Sequence, residues 1–187
     1  MKQTFVAIGL LAVANAAIAQ GSEWKEPDYP LKGLYGGFDL GGWRFSQPVP
    51  GSSIEMTGFT YSPFVGYQLN RYMGIEGAYV GGNVGTNLNG VDLSTNAFVA
   101  QGSMIGSFPL SGYAGLYARA GVAKWWSRST ISAPGFHDRL DNNGTNGVYG
   151  AGVYEHFDVV ASRLEWTRTN IEGARVNRFS VAAYWKF

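Results

Sequence analysis

From Leu34 to the C-terminus, apolar and polar side chains alternate with a period of two, the pattern of strands whose two faces meet different surroundings. Eight strands are predicted. The first, about Leu34 to Phe45, sets Leu34, Phe38 and Leu40 against Tyr35, Asp39 and Trp43. The second, about Thr57 to Leu69, sets Phe59, Tyr61, Val65, Tyr67 and Leu69 against Thr60, Ser62 and Gln68. The third, about Tyr72 to Gly82, opposes Met73, Ile75 and Tyr79 to Glu76 and Ala78. The fourth, about Ser94 to Phe108, opposes Phe98, Ala100, Met104 and Phe108 to Gln101 and Ser103. In the fifth, about Tyr113 to Arg128, Leu116, Ala118, Ala120, Val122 and Trp126 stand opposite Tyr117 and Arg119. The sixth, about Gly147 to Tyr154, is too rich in glycine for its faces to be assigned. The seventh, about Val159 to Thr169, sets Val160, Leu164 and Trp166 against Arg163 and Glu165. The eighth, about Asn177 to Phe187, sets Phe179, Val181, Ala183, Trp185 and Phe187 against Arg178, Ser180, Tyr184 and Lys186.

The connections alternate in length. Ser46 to Met56, Asn83 to Leu93, Ser129 to Asn146 and Asn170 to Val176 are the long ones, read as loops. Short turns fall at Asn70-Arg71, at Pro109 to Gly112 and near His156 and Asp158. With an even strand count, all short turns emerge at one end and all long loops at the other. Charged residues are 14 % of the chain, against roughly 25 % in an average soluble protein. Aromatics reach 15 %, and beyond residue 19 no apolar run approaches the length of a spanning helix. A sheet can cross lipid only when closed, because hydrocarbon cannot satisfy an open edge. A soluble eight-stranded barrel would carry its oily side chains inside and a dense charge outside. The expected fold is therefore all-β, an eight-stranded antiparallel up-and-down transmembrane β-barrel, with the long loops external and both chain ends on the inner side.

Residues 1–19 read as an export signal: Lys2, an apolar stretch from Phe5 to Ala14, and the small-x-small site Ala17-Ile18-Ala19. Residues 20–33, with Pro27, Pro30 and five charges, read as a periplasmic lead-in to a barrel spanning 34–187. The address this implies is the bacterial outer membrane.

Charges identify the interior. Asp39, Glu76, Arg119, Arg163, Glu165 and Arg178 all share a face opposite Leu, Ile, Phe or Val, and three acids balance three bases. Ions in so confined a place must pair. Eight strands leave a lumen only wide enough for side chains to fill. Aromatics at the strand ends, Trp43, Trp125, Trp126 and Trp166 toward the long loops and Tyr67, Tyr72, Tyr113, Trp185 and Phe187 toward the short turns, read as interfacial girdles. Lys124, Arg128 and Arg168, on the apolar face near the long-loop end, suit anionic headgroups such as those of lipopolysaccharide.

Leu34-Tyr-Gly-Gly-Phe, Gly66-Tyr-Gln-Leu-Asn, Gly74-Ile-Glu-Gly-Ala-Tyr, Gly121-Val-Ala and Arg163-Leu-Glu-Trp together resemble the OmpA-like transmembrane barrel family, over nearly all the chain beyond the signal. The resemblance implies alternative salt bridges inside the barrel, on Glu76, Arg163 and Glu165. The closing Val181-Ala-Ala-Tyr-Trp-Lys-Phe187 resembles the family's terminal-strand signal for the insertion machinery, here Phe179, Val181, Trp185 and Phe187, and implies periplasmic chaperones during biogenesis. The peptidoglycan-binding domain of the longest members does not follow the barrel in this sequence.

Other chemistry finds little support. There is no cysteine, no basic run for nucleic acid and no phosphate cradle, and only His137 and His156 supply imidazoles. His137 beside Asp138 is the one candidate acid–base pair; Asp138, Asp141, Asn142 and Asn143 lack calcium-loop spacing. No metal, cofactor or enzymatic activity is expected. The leading reading is a non-enzymatic envelope or surface-contact protein. A narrow gated pore (Glu76, Arg119, Arg163, Glu165) and a lipid-modifying enzyme using His137 are the alternatives.

Overall fold

A computed structural model describes residues 33–187 except 50, 89, 90, 135, 158 and 159. The export signal and nearly all of the lead-in lie outside the described residues. Eight strands, β1 (Gly33–Val49), β2 (Ser52–Asn70), β3 (Met73–Leu88), β4 (Val91–Pro109), β5 (Ala114–Ala133), β6 (Phe136–Phe157), β7 (Val160–Ile171) and β8 (Ala174–Lys186), pair in chain order, each antiparallel to its neighbours. Pairing of β1 with β8 closes the barrel. No described helix is long and apolar enough to cross a membrane.

Turn chemistry sets the register at each end. Asn70 Oδ1 accepts from the N–H groups of Tyr72 and Met73 at 2.8 and 2.9 Å, and Ser111 Oγ accepts from those of Tyr113 and Ala114. Side-chain oxygens thus replace the strand partner that a turn removes. At the opposite end, Glu172 (φ 53°) and Gly173 (φ 79°) occupy the left-handed region that a two-residue hairpin turn requires.

The long connections depart from expectation. The segments read as loops are hairpins: β1 and β2 stay in register up to Val49↔Ser52, β3 and β4 up to Leu88↔Val91, and β5 and β6 up to Ala133↔Phe136. Glycine, Asn and Asp in these stretches suggested irregular chain, yet the ladder hydrogen bonds continue through them. β5 and β6 reach 20 and 22 residues, about twice the 9–11 that a tilted membrane strand needs. Their upper halves therefore stand clear of any bilayer.

The outer surface carries an apolar belt of Leu34, Phe38, Leu40, Phe59, Val65, Ile75, Met104, Val122 and Val181, all exposed. Above it the polarity inverts. Arg44, Glu55, Asn83, Asn96, Lys124 and Arg128 face outward, while Trp43, Phe45, Val84, Ala97, Ala123, Trp125, Val148, Ile171 and Val176 fill the interior. Below, the barrel is membrane-like, oily outside and ionic within; above, it is built like a water-soluble barrel. A one-residue slip of a strand would turn its belt residues into the lumen and its lumen residues outward, so the alternation pins the register.

Candidate functional site

The candidate site is the barrel interior, where six buried ionised side chains form two separate groups. β3 projects Glu76 inward, β5 Arg119, and β7 Arg163 and Glu165, all within 6 % of full burial. Arg163 grips Glu76 with both terminal nitrogens, at 2.6 and 3.0 Å, a bidentate fork. Arg119 also bonds Glu76 and lies 3.3 Å from Glu165. Tyr117 donates its hydroxyl to Glu165 at 2.7 Å, and Tyr35 donates to Glu76 at 3.2 Å. The Arg163 guanidinium also lies 4.1 Å from the centre of the Phe64 ring, a cation–π contact. Asp39 and Arg178 form the second group: they pair with each other, and Arg178 Nε donates to Thr60 Oγ1 at 3.1 Å.

Alternation brings these groups together because each strand offers the lumen every second residue, and the register levels them across the barrel. Two acids and two bases in the tetrad, and one of each in the pair, leave the interior formally neutral. Apolar layers close it on both sides. Tyr35, Phe64, Ala161, Ala182 and Tyr184 pack toward the short-turn end, and the Trp43–Trp125 cluster packs toward the hairpins. Between the Asp39–Arg178 pair and the upper cluster, a cavity of about 20 Å³, lined by Trp43, Gln101, Thr167 and Arg178 among others, has room for about one water.

Trp43 and Trp125 are not girdle residues. Both point into the barrel, 4 % and 7 % exposed. Their place near the strand ends suggested an interface, but their parity is that of Asp39 and Arg119, and parity decides the face. Trp126 is outward, Trp166 is half-buried with Tyr149 edge-on against it at 6.0 Å, and Tyr67, Tyr72, Tyr113 and Trp185 are exposed at the short-turn end. Phe179, Val181, Trp185 and Phe187 form the outer face of the C-terminal strand and its last residue. Arg128 is held by Asp141 at 2.9 Å rather than free for a headgroup, and that hydrogen bond, above the belt, holds the Asp141 carboxyl below its usual range. Asp138 accepts from the Arg139 N–H, and the His137 side chain lies outside the described residues.

Sequence reasoning missed Tyr35 and Tyr117 as donors to the carboxylates, and the apolar upper lumen of Val80, Val84, Val99, Val148, Ile171 and Val176. Replacing Tyr117 by Phe removes one donor from a buried carboxylate and should cost about 1–3 kcal/mol, read as a lower urea midpoint with the barrel still closed.

An oily belt around a neutralised ionic lumen defines an outer-membrane barrel. The family model described as "Outer membrane protein beta-barrel domain" matches residues 4–187, and the chain belongs to that family. It is 30 % identical over 185 residues to Outer membrane protein A of Shigella flexneri, covering 91 % of this chain and 49 % of that protein. Outer membrane protein A of Yersinia pseudotuberculosis matches at 30 % over 154 residues, 78 % of this chain and 41 % of that one. The chain thus spans about half the length of the curated relatives it matches. Among solved structures, Ail of Yersinia pestis in complex with the heparin analogue sucrose octasulfate superposes with a TM-score of 0.59 at 14 % identity, covering 83 % of this chain and 99 % of Ail. Neisserial surface protein A superposes at 0.57 and 17 % identity, covering 82 % and 97 %. These structures share the fold. The protein is located in the bacterial outer membrane.

Proposed function

We propose that this is a non-enzymatic protein that supports the outer membrane and presents its external hairpins for surface contact. One observation carries the reading: β3 to β6 rise as a sheet above the apolar belt, while the lumen beneath is filled. A solute path would need the Glu76–Arg163 fork to open and two apolar layers to part together, which disfavours the gated pore. The Asp138 carboxylate bonds its neighbour's backbone, which disfavours an acid–base pair at the hairpin tip. Lys124, Arg168 and Arg175 have no carboxylate in ion-pair contact among the described residues and stand on the outer face near or above the belt. They suit phosphate-bearing headgroups such as those of lipopolysaccharide. The outer face of β8 serves as the signal for the insertion machinery, with periplasmic chaperones delivering the chain to it.

Residues 129–140 can be replaced by Asn-Gly, which joins Arg128 to Asp141, already partners across the hairpin. The shortened protein should keep the barrel's gel-mobility shift on heating. Adhesion of cells bearing it to host-cell surfaces should fall to the level of cells lacking the protein. Undiminished adhesion would remove the surface-contact reading.

A further inference from the structure

β6 climbs past its neighbour. Its ladder with β7 ends at Tyr149↔Arg168, and above that, among the described residues, Asn146 Nδ2 to Asn170 O (2.8 Å) and Thr169 Oγ1 to Gly147 O (3.0 Å) join the two strands. From Thr145 to Phe136, the described ladder of β6 runs to β5 alone. The register with β5 is constant over the whole hairpin, and the His156 N–H donates to the Tyr113 carbonyl. Even-numbered residues of β6 therefore bond β5. The odd-numbered Arg139, Asp141 and Asn143 turn their N–H and C=O groups to the free edge; the Arg139 N–H there is held by the Asp138 carboxylate at 2.8 Å, which an incoming strand displaces. Such an edge is a template for another strand.

Charges on an edge ordinarily repel a second copy, and the two registers centred on the charged residues do so. An antiparallel pair of identical edges must oppose odd residues to odd. Centred on Arg139, the register sets Arg139 against itself; centred on Asp141, it sets Asp141 against itself. Centred on Leu140, it sets Arg139 against Asp141 twice, Leu140 against Leu140, and Phe136 against Gly144. Leu140 and Phe136 are exposed in the single chain. Asp141 Oδ1 holds Arg128 at 2.9 Å, but Oδ2 meets its own Arg139 only at 3.6 Å, leaving a place for a second guanidinium.

We propose that this chain pairs with a second copy of itself through the free edge of β6, in the register centred on Leu140, between barrels in facing membranes. The facing arrangement follows from direction. Two barrels in one membrane both run β6 downward from its tip, whereas antiparallel pairing needs one strand to rise. The pairing clears the membranes, since Phe136, the first residue of β6, lies opposite Gly144, five residues above the outward Tyr149 that ends the β7 ladder. The inference rests on the surface-contact reading and names its partner.

The test uses the full-length barrel refolded into phosphatidylcholine vesicles, with clustering followed by light scattering and folding checked by heat-dependent gel mobility. Wild-type vesicles should cluster. Arg139→Asp and Asp141→Arg each place like charges in both pairs and should lower clustering about tenfold, while mixing the two variant populations should restore it. Leu140→Cys should form a disulfide-linked dimer on oxidation in clustered vesicles, since a non-hydrogen-bonded antiparallel pair brings the two Cα atoms within bridging range. Wild-type vesicles that stay dispersed, single variants that cluster like wild type, mixtures that do not recover, or Leu140→Cys dimers in unclustered vesicles would each overturn the proposal. If vesicles stay dispersed while the hairpin replacement still abolishes cell adhesion, self-pairing falls and surface contact stands. If adhesion also survives that replacement, both fall.

Discussion

Replacing Glu76 with Ala should lower the unfolding free energy by about 3–5 kcal/mol, measured as the fall in urea midpoint for the barrel folded in detergent micelles. The magnitude follows from what the carboxylate leaves behind. Glu76 accepts from Arg163 twice and from Arg119 and Tyr35 once each, and it is 4 % exposed. Without it, two guanidiniums share the one carboxylate of Glu165, 3.3 Å from Arg119 and 3.9 Å from the Nε of Arg163. One positive charge is then buried without compensation, with apolar layers above and below to keep water out. Glu76→Gln keeps the shape and some of the hydrogen bonds and should cost less. A loss confined to a few tenths of a kcal/mol would mean that the lumen is wet and the pairing incidental.

Val65→Arg should cost about 2–4 kcal/mol, whereas Thr57→Arg, eight positions along the same outward face of β2, should cost about 0–1. Val65 is in the middle of the apolar belt with Tyr61 and Tyr67 on its own face, and Thr57 lies above Phe59 where outward residues turn polar. The pair compares one substitution at two depths, so helix or strand propensity and side-chain size cancel. Urea titrations of the two variants in lipid vesicles give the difference. Equal costs at both positions would mean that no depth-dependent hydrocarbon surrounds the sheet.

The barrel was legible because two faces in different solvents must alternate, and the charges Asp39, Glu76, Arg119, Arg163, Glu165 and Arg178 share one parity while the belt residues share the other. The upper hairpins were not legible by composition. Asn, Gly and Asp suit loops, but in a long antiparallel hairpin the backbone ladder outweighs side-chain preference, and β5 and β6 stay paired up to Ala133↔Phe136. Trp43 and Trp125 were misplaced because nearness to a strand end was weighed above parity. The same parity shows Phe45, Val80 and Val84 facing inward, and Arg44, Asn83 and Lys124 facing outward. The height at which the apolar face passes from outside to inside can therefore be read from the chain once the faces are tracked past the belt. The partition of the six ions into a tetrad and a separate pair depends on levels set by the shear of the closed sheet, which no single strand encodes.

Spin labels introduced at Leu40, Val65, Ile75, Met104, Val122 and Val181, with Glu55 and Arg139 as controls, measure the surroundings of the outer face directly. In lipid vesicles, labels at the six belt positions should collide readily with molecular oxygen and little with a water-soluble nickel chelate, and the two controls should show the reverse. Nickel access at mid-belt equal to that at the controls would place water where hydrocarbon is required, and would contradict the assignment of the ionised side chains to a sealed interior.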